Sequence, residues 1–237
     1  MSEEPPPALV WAREPRAPRR QSLSIDRIVS VAVGIADADG LEALSMRRLA
    51  TDLGSGTTSL YRHVAGRDEL LDLMVDAVRG EHPAQPPTGD WRADLGGVAH
   101  LMRADLLRHP WLGSALMSRL ALGPNSLRRV DFALAAAGSL TSDASLAITL
   151  IRSLHHYVLG AVSDQLAEQD AQRRTGLTEE QWRRSVGPYV RDIVKSGVYP
   201  HFSRSVIEAE DLDADRQFEF GLDCLLAGIA TQVTASR

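Results

Sequence analysis

Two short helical patterns and a glycine turn make up residues 44–64, which read Leu44-Ser-Met-Arg-Arg-Leu-Ala-Thr-Asp-Leu-Gly-Ser-Gly-Thr-Thr-Ser-Leu-Tyr-Arg-His-Val64. Ser45 supplies the hydroxyl expected of a helix N-cap, and Gly54 is the residue type that ends helices in the left-handed conformation. A second short helix follows the turn, over 57–63. We expect four apolar side chains to bury the junction of these helices: Leu49, Ala50, Leu60 and Val64. The spacing predicts a helix-turn-helix.

The second helix of this pair has polar side chains on the face that does not pack. Hydroxyls, a guanidinium and an imidazole can contact base edges and phosphates, and a helix of this size fits the major groove. An ordinary helical hairpin with solvated polar residues has the same spacing, so the spacing alone leaves both interpretations open. The DNA-binding interpretation concerns the side chains Thr57, Thr58, Ser59, Tyr61, Arg62 and His63.

Further helices flank this pair on both sides. Ser24 is predicted to cap a first helix, whose apolar residues recur at helical spacing as far as Asp39-Gly40, and another helix runs from about Gly66 to Gly80. Residues 1–23 contain many prolines and arginines and little apolar periodicity, so we predict a disordered arm. The arm is either a solvated tail or a minor-groove contact made by Arg13, Arg16, Arg19 and Arg20.

The remainder of the chain also has helical periodicity, and no segment shows the sustained alternation of a strand. The proline-rich residues 82–89 form the one clear internal boundary. A long helix over 142–168 is apolar around most of its circumference, and a last helix over 213–233 has one apolar stripe. Because a monomer would expose these surfaces to water, we expect a homodimer joined by the two helices.

Composition limits the classes of function. The net charge is −5, yet residues 19–70 contain as many arginines as acidic residues, and Lys195 is the only lysine. Arginine has the planar charge that suits phosphate and guanine. Cys224 is the only cysteine, which excludes an internal disulfide and a thiolate-rich metal site, and its apolar neighbours suggest a buried thiol.

Several classes are disfavoured by what the sequence lacks. It has no long apolar run free of charge and no signal-peptide pattern, so we expect a cytoplasmic protein without a membrane partner. No catalytic or phosphate-binding motif is recognisable, and we therefore expect no enzyme, no catalytic residues, no metal site and no cofactor. A helical adaptor that does not bind DNA is the alternative that remains among the binding proteins.

The helix-turn-helix and its surroundings resemble the tetracycline-repressor (TetR) family. The first helix, the Leu-Ala and Leu-Gly pairs of the second, and residues 59–64 and 67–71 occur in the order and spacing of that family. Segments further along resemble its tetracycline-repressor type of C-terminal domain, so the resemblance covers about 24–233. These segments are Trp91-Arg92, Leu107-Arg-His-Pro-Trp111, Leu122-Gly-Pro-Asn125, Tyr199-Pro-His-Phe202 and Phe218-Glu-Phe-Gly-Leu-Asp223.

The resemblance implies an all-α dimer whose long C-terminal helices pair in a four-helix bundle and whose recognition helices enter successive major grooves of a palindromic operator. It implies three parts: the arm (1–23), a helix-turn-helix DNA-binding domain (24–71) and a helical ligand-binding and dimerisation domain (72–237). By position, Arg47 and 57–59 should meet bases, Tyr61, His63 and Arg67 should meet phosphates, and Arg62 either. Gly56 replaces an acidic residue of the tetracycline repressor, so its operator sequence cannot be transferred.

The resemblance also implies a small-molecule effector bound among the C-terminal helices. The positions that hold magnesium-tetracycline in the tetracycline repressor are Leu116 and Asp164 here, and loss of the imidazole argues against that ligand. The expected function is a repressor that an effector releases from DNA, with an activator of the same family as the alternative. Candidate pocket residues are Met102, Leu116, Met117, Leu120, Phe132, Tyr157 and Asp164.

Overall fold

The computed structural model describes residues 11, 23–83, 86–117, 122–210 and 212–235. Within these ranges the chain forms α-helices and no strand, which confirms the all-α prediction. Two compact units divide between His155 and His156. The helices are α1 Ile25–Asp39, α2 Met46–Asp52, α3 Thr57–Leu60, α4 Arg67–Arg79, α5 Trp91–Arg108, α6 Leu112–Leu116, α7 Pro124–Gly138, α8 Ala144–Thr175, α9 Glu179–Ser196, α10 Pro200–Glu208 and α11 Ala214–Ala235.

Local capping signals define the boundaries of the first helices. The Ser24 hydroxyl accepts the backbone N–H of Arg27 at 3.2 Å, which caps α1. In the same way, the Ser45 hydroxyl accepts the N–H of Arg48 at 3.2 Å and caps α2. Gly54 follows α2 with φ +63°, a conformation that strains any residue with a Cβ. Both predicted N-caps and the glycine turn are confirmed.

The helix-turn-helix has its own apolar junction. Leu49, Leu60 and Val64 are completely buried and Ala50 nearly so. Helix α1 packs against both α2 and α4, and its residue Ile28 is completely buried as well. The predicted core of the helix-turn-helix is confirmed, and its burial leaves the polar residues of α3 on the outside.

A buried carboxylate anchors α7 to α4. Asp76 of α4 is 3% exposed, and its Oδ1 accepts the backbone N–H of Ser126 at 2.8 Å. Its Oδ2 accepts the backbone N–H of Asn125 at 3.3 Å and the side-chain amide of Asn125 at 3.1 Å. The negative charge therefore satisfies the free N–H groups at the N-terminus of α7 and is favoured by the helix dipole.

Gly123 is required by this anchor, because a Cβ at that position would lie 2.3 Å from the Asp76 carboxyl carbon. We expect Gly123→Ala to lower the free energy of unfolding by about 1–3 kcal/mol through overpacking. Gly138, at the other end of α7, has nothing within 4 Å of its Cβ position. Gly138→Ala should raise the free energy of unfolding by roughly 0.5–1 kcal/mol. Urea denaturation measures both, and equal effects of the two substitutions would contradict the anchor.

The second unit contains α9 and α10, two helices that sequence periodicity did not delimit. Thr178 caps α9 through a complete capping box with Gln181. Neither α9 nor α10 buries a residue. Their exposed apolar residues include Trp182, Tyr189 and Ile207.

The stripe of α11 differs from the expectation. Phe218, Leu222 and Leu226 are buried within the chain, with exposed fractions of at most 3%, so the expectation that this stripe would face water in a monomer is wrong. The exposed apolar side chains of the two predicted dimerisation helices are different ones, notably Ile148 on α8 and Phe220 on α11.

Cys224 is exposed, not buried, because it lies on the opposite side of α11 from the buried stripe. Leu120 and the arm arginines Arg13, Arg16, Arg19 and Arg20 lie outside the described residues. None of the helices that the structure describes combines the length and the apolarity that a membrane span requires.

Candidate nucleic-acid interface

Helix α3 is one regular turn that continues as a tighter turn. The α-helix covers Thr57–Leu60, after which the N–H groups of His63 and Val64 donate to the carbonyl of Leu60 at 2.8 and 3.0 Å. Because Leu60 and Val64 point into the core, the other residues of the segment face outward. Thr57, Thr58, Tyr61 and Arg62 are exposed, and Ser59 and His63 are half-buried. All six predicted residues of this segment are thus at least partly accessible on the outside of the helix-turn-helix.

The two arginines of α2 have different environments. Arg48 donates a hydrogen bond to Asp39 and lies 3.7 Å from Asp52. The hydrogen bond to Asp39 is the main cause that raises the pKa of Arg48 above its usual value. Arg47 is exposed, and its guanidinium has no partner among the described residues. Of this pair, only Arg48 is held by acidic side chains.

Arg67, the first residue of α4, is oriented by the preceding loop. It is exposed, and its Nη2 donates to the backbone carbonyl of Leu41 at 3.0 Å. A guanidinium has five N–H donors, and this bond uses one. Behind it, the Glu69 carboxylate accepts the N–H of Ala65 at 3.2 Å and fixes the entry into α4. Arg67 therefore has a defined direction and donors left for a phosphate.

The predicted pocket residues occupy varied environments in each of the two units. In the first unit, Met102 is buried, Leu116 and Phe132 are half-buried, and Met117 is 78% exposed. In the second unit, Asp164 is exposed, whereas the Tyr157 hydroxyl donates to the Phe218 carbonyl at 2.6 Å. Tyr157 thus holds α8 to α11, a structural contact that periodicity did not suggest.

The first unit also has a buried ionic network that the sequence did not suggest. Asp105 of α5 is 3% exposed, accepts a hydrogen bond from Arg129 of α7 and lies 3.4 Å from Nε2 of His82. Burial lowers the pKa of the nearby Arg79, and the charge of Arg129 lowers it further. No three His, Cys, Asp or Glu side chains in the described ranges stand together as ligands for a metal ion.

Comparison with known sequences identifies close relatives. A sequence model of the tetracyclin repressor-like C-terminal domain matches residues 82–233. The HTH-type transcriptional repressor DrrR1 of Streptomyces coeruleorubidus is 40% identical over 97% of this chain and 86% of its own. The class E tetracycline repressor protein of Escherichia coli is 26% identical over 89% of this chain and 92% of its own.

Solved structures agree with these relatives. Apo ActR from Streptomyces coelicolor superposes with a TM-score of 0.77 and 31% identity, over 92% of this chain and 100% of ActR. ActR in complex with actinorhodin superposes with a TM-score of 0.73 and 33% identity, over 89% of this chain and 98% of ActR. Because these relatives match both the helix-turn-helix and the C-terminal helices, the chain belongs to the tetracycline-repressor family of transcription regulators.

Proposed function

We propose that this chain is a homodimeric repressor that binds a palindromic DNA operator through two copies of α3 and releases it when a small molecule binds. The observation that carries the proposal is the outward surface of the helix-turn-helix. There, Leu60 is buried while Tyr61 is 53% exposed and the guanidinium of Arg47 is unpaired among the described residues. A protein that acts on DNA in this way would work in the cytoplasm.

Contacts to DNA divide into two groups. Base edges would be read by Thr57, Thr58 and Ser59, because residues at the N-terminus of a recognition helix enter the groove first. Arg47 would join them from α2, the preceding helix, with a guanidinium suited to guanine. Phosphates would be bound by Tyr61, His63 and Arg67, and Arg62 would do either. Phosphate contacts set the affinity and its salt dependence, whereas base contacts set the sequence preference.

We expect substitutions at the phosphate-binding residues to weaken binding on every DNA sequence. Arg67→Ala removes one guanidinium from each head of the dimer and should reduce the magnitude of the slope of log K against log salt by about two units, since about two fewer counterions are released. Tyr61→Phe should weaken binding without changing that slope, because it removes a neutral hydroxyl. Fluorescence anisotropy at several salt concentrations measures both, and a slope unchanged by Arg67→Ala would remove Arg67 from the interface.

A second copy of the chain would cover the exposed apolar side chains. Ile148 and Phe220 are 50% and 68% exposed on α8 and α11. The exposed aromatic residues of α9 and α10 add to the apolar area that a partner would bury, and they include Trp182, Tyr189 and Phe202. An obligate interface of this kind buries more than about 2,000 Å². Twofold symmetry would also place both recognition helices for the two halves of a palindrome.

The effector would bind among the C-terminal helices. The structure of ActR in complex with actinorhodin resembles this chain, so actinorhodin is the first compound to test. Tetracycline with magnesium is the matched comparison, and we expect no response to it because Leu116 and Asp164 replace the ligand positions. A gel shift with each compound distinguishes them. If magnesium-tetracycline released the operator and actinorhodin did not, the expectation drawn from Leu116 and Asp164 would be contradicted. If neither compound released the operator, other effectors would be tested next.

A further inference from the structure

One carboxylate joins the DNA-binding head, which consists of α1, α2 and α3, to the corner between α5 and α6. Asp37 lies in the last turn of α1. Its Oδ1 lies 2.7 Å from Nδ1 of His109 and 2.7 Å from Nε1 of Trp111. His109 and Trp111 are 3% and 5% exposed, and both belong to the short connection between α5 and α6. A single oxygen atom therefore receives two buried partners from the same connection.

The same imidazole also faces the end of α4. Nε2 of His109 lies 3.4 Å from Oε2 of Glu81, which follows α4, and that oxygen lies 3.3 Å from Nη1 of Arg108. Helix α4 is the covalent link from the helix-turn-helix to the C-terminal helices. The α5–α6 corner thus makes two contacts, one with Glu81 beside the covalent link and one with the head itself through Asp37.

We propose that Asp37, His109 and Trp111 form a positioning clamp that sets the orientation of the DNA-binding head on the C-terminal helices. A displacement of the α5–α6 corner would move both partners of Asp37 together and turn α1 with them. The inference rests on the proposed function, since the orientation of a head affects affinity only when two heads must reach two half-sites at once.

Directional bonds suit this role better than apolar contact does. Apolar burial is non-directional, so it defines the orientation of α1 less sharply than hydrogen bonds do. Hydrogen bonds weaken steeply when their angle or length changes, and a buried donor left without its acceptor is costly. Two donors on one oxygen therefore define one orientation of α1. If the α5–α6 corner moves, the two hydrogen bonds must break or form again in a different arrangement.

The test compares Asp37→Ala with wild type on a selected operator and on an unrelated duplex. We expect the operator affinity to fall at least tenfold, while affinity for the unrelated duplex changes less than threefold because each head remains intact. Asp37→Asn keeps Oδ1 as an acceptor and should recover most of the operator affinity. Asp26→Ala, in the exposed first turn of α1, removes the same charge from the same helix and should behave as wild type.

Head orientation can also be measured without DNA. A spin label at Glu42→Cys, in a Cys224→Ser background, reports the distance between the two heads of a dimer by pulsed electron resonance. Asp37→Ala should broaden that distance distribution, and Asp37→Asn should restore it. Equal losses on both duplexes, or an unchanged operator affinity with an unchanged distribution, would overturn the clamp. A wild-type chain that selects no operator would overturn the proposed function, and the distance distributions would still decide the clamp.

Discussion

Aspartate at both Ile148 and Phe220 should abolish dimerisation and operator binding together. Both side chains are at least half exposed in the protomer, so the substitutions leave its core intact. In a dimer they would place four unpaired carboxylates against apolar surface. An uncompensated buried charge costs about 3–5 kcal/mol, enough to weaken association more than 100-fold. Sedimentation velocity should show the mass fall from twice 25.8 kDa to 25.8 kDa.

Leu127→Asp is the matched control for this prediction. Leu127 is 47% exposed on α7, which is not one of the two predicted dimerisation helices. The control should remain a dimer and should bind the operator as wild type does. If the double variant kept its dimeric mass, the pairing of α8 and α11 across the dimer would be contradicted. If it bound the operator at full affinity as a monomer, the requirement of a dimer for operator binding would be contradicted.

Arg47→Ala should cause the largest loss of sequence preference of any single substitution in the head. A bidentate contact from arginine to guanine is worth about 1–3 kcal/mol. A dimer makes the contact in both half-sites, so the operator affinity should fall by about 2–6 kcal/mol, or roughly 30-fold to 20,000-fold. Affinity for unrelated DNA should change far less. Competition binding against single-base operator variants locates the base pair whose preference is lost.

Arg48→Ala provides the neighbouring control. Arg48 pairs with Asp39 and Asp52 on the protein surface, and exposed ion pairs contribute only about 0–1 kcal/mol to stability. Operator affinity should therefore stay within about threefold of wild type. An effect of Arg48→Ala as large as that of Arg47→Ala would mean that the two arginines are used alike, against the difference in their environments.

The parts of the fold that the sequence predicted depend on local signals. A serine hydroxyl caps the helix that begins beside it, so Ser24 and Ser45 could be identified without any knowledge of tertiary contacts. Gly54 ends α2 because glycine adopts a positive φ without strain, and this tolerance needs no distant partner. The apolar junction of α2 with α3 follows from helical spacing over sixteen positions, Leu49 to Val64.

The features that could not be predicted depend on partners far apart in the sequence. Asp76 meets Ser126 across 50 positions, and Asp37 meets His109 across 72. No spacing rule connects such pairs, because the packing of other helices brings them together. Periodicity also could not say what covers an apolar stripe, which is why the stripe of α11 was assigned to a dimer interface although it is buried within the chain.

Selection of duplexes from a random DNA library by the full-length chain, followed by footprinting of the enriched sequence, tests whether the chain is a dimeric operator-binding repressor. We expect two half-sites related by twofold symmetry, with centres about one helical turn apart or a multiple of it, and protection of both halves. Arg47→Ala should lose preference at one symmetric pair of positions. Enrichment of no sequence, or protection of a single unpaired half-site by a monomer, would contradict the proposed function.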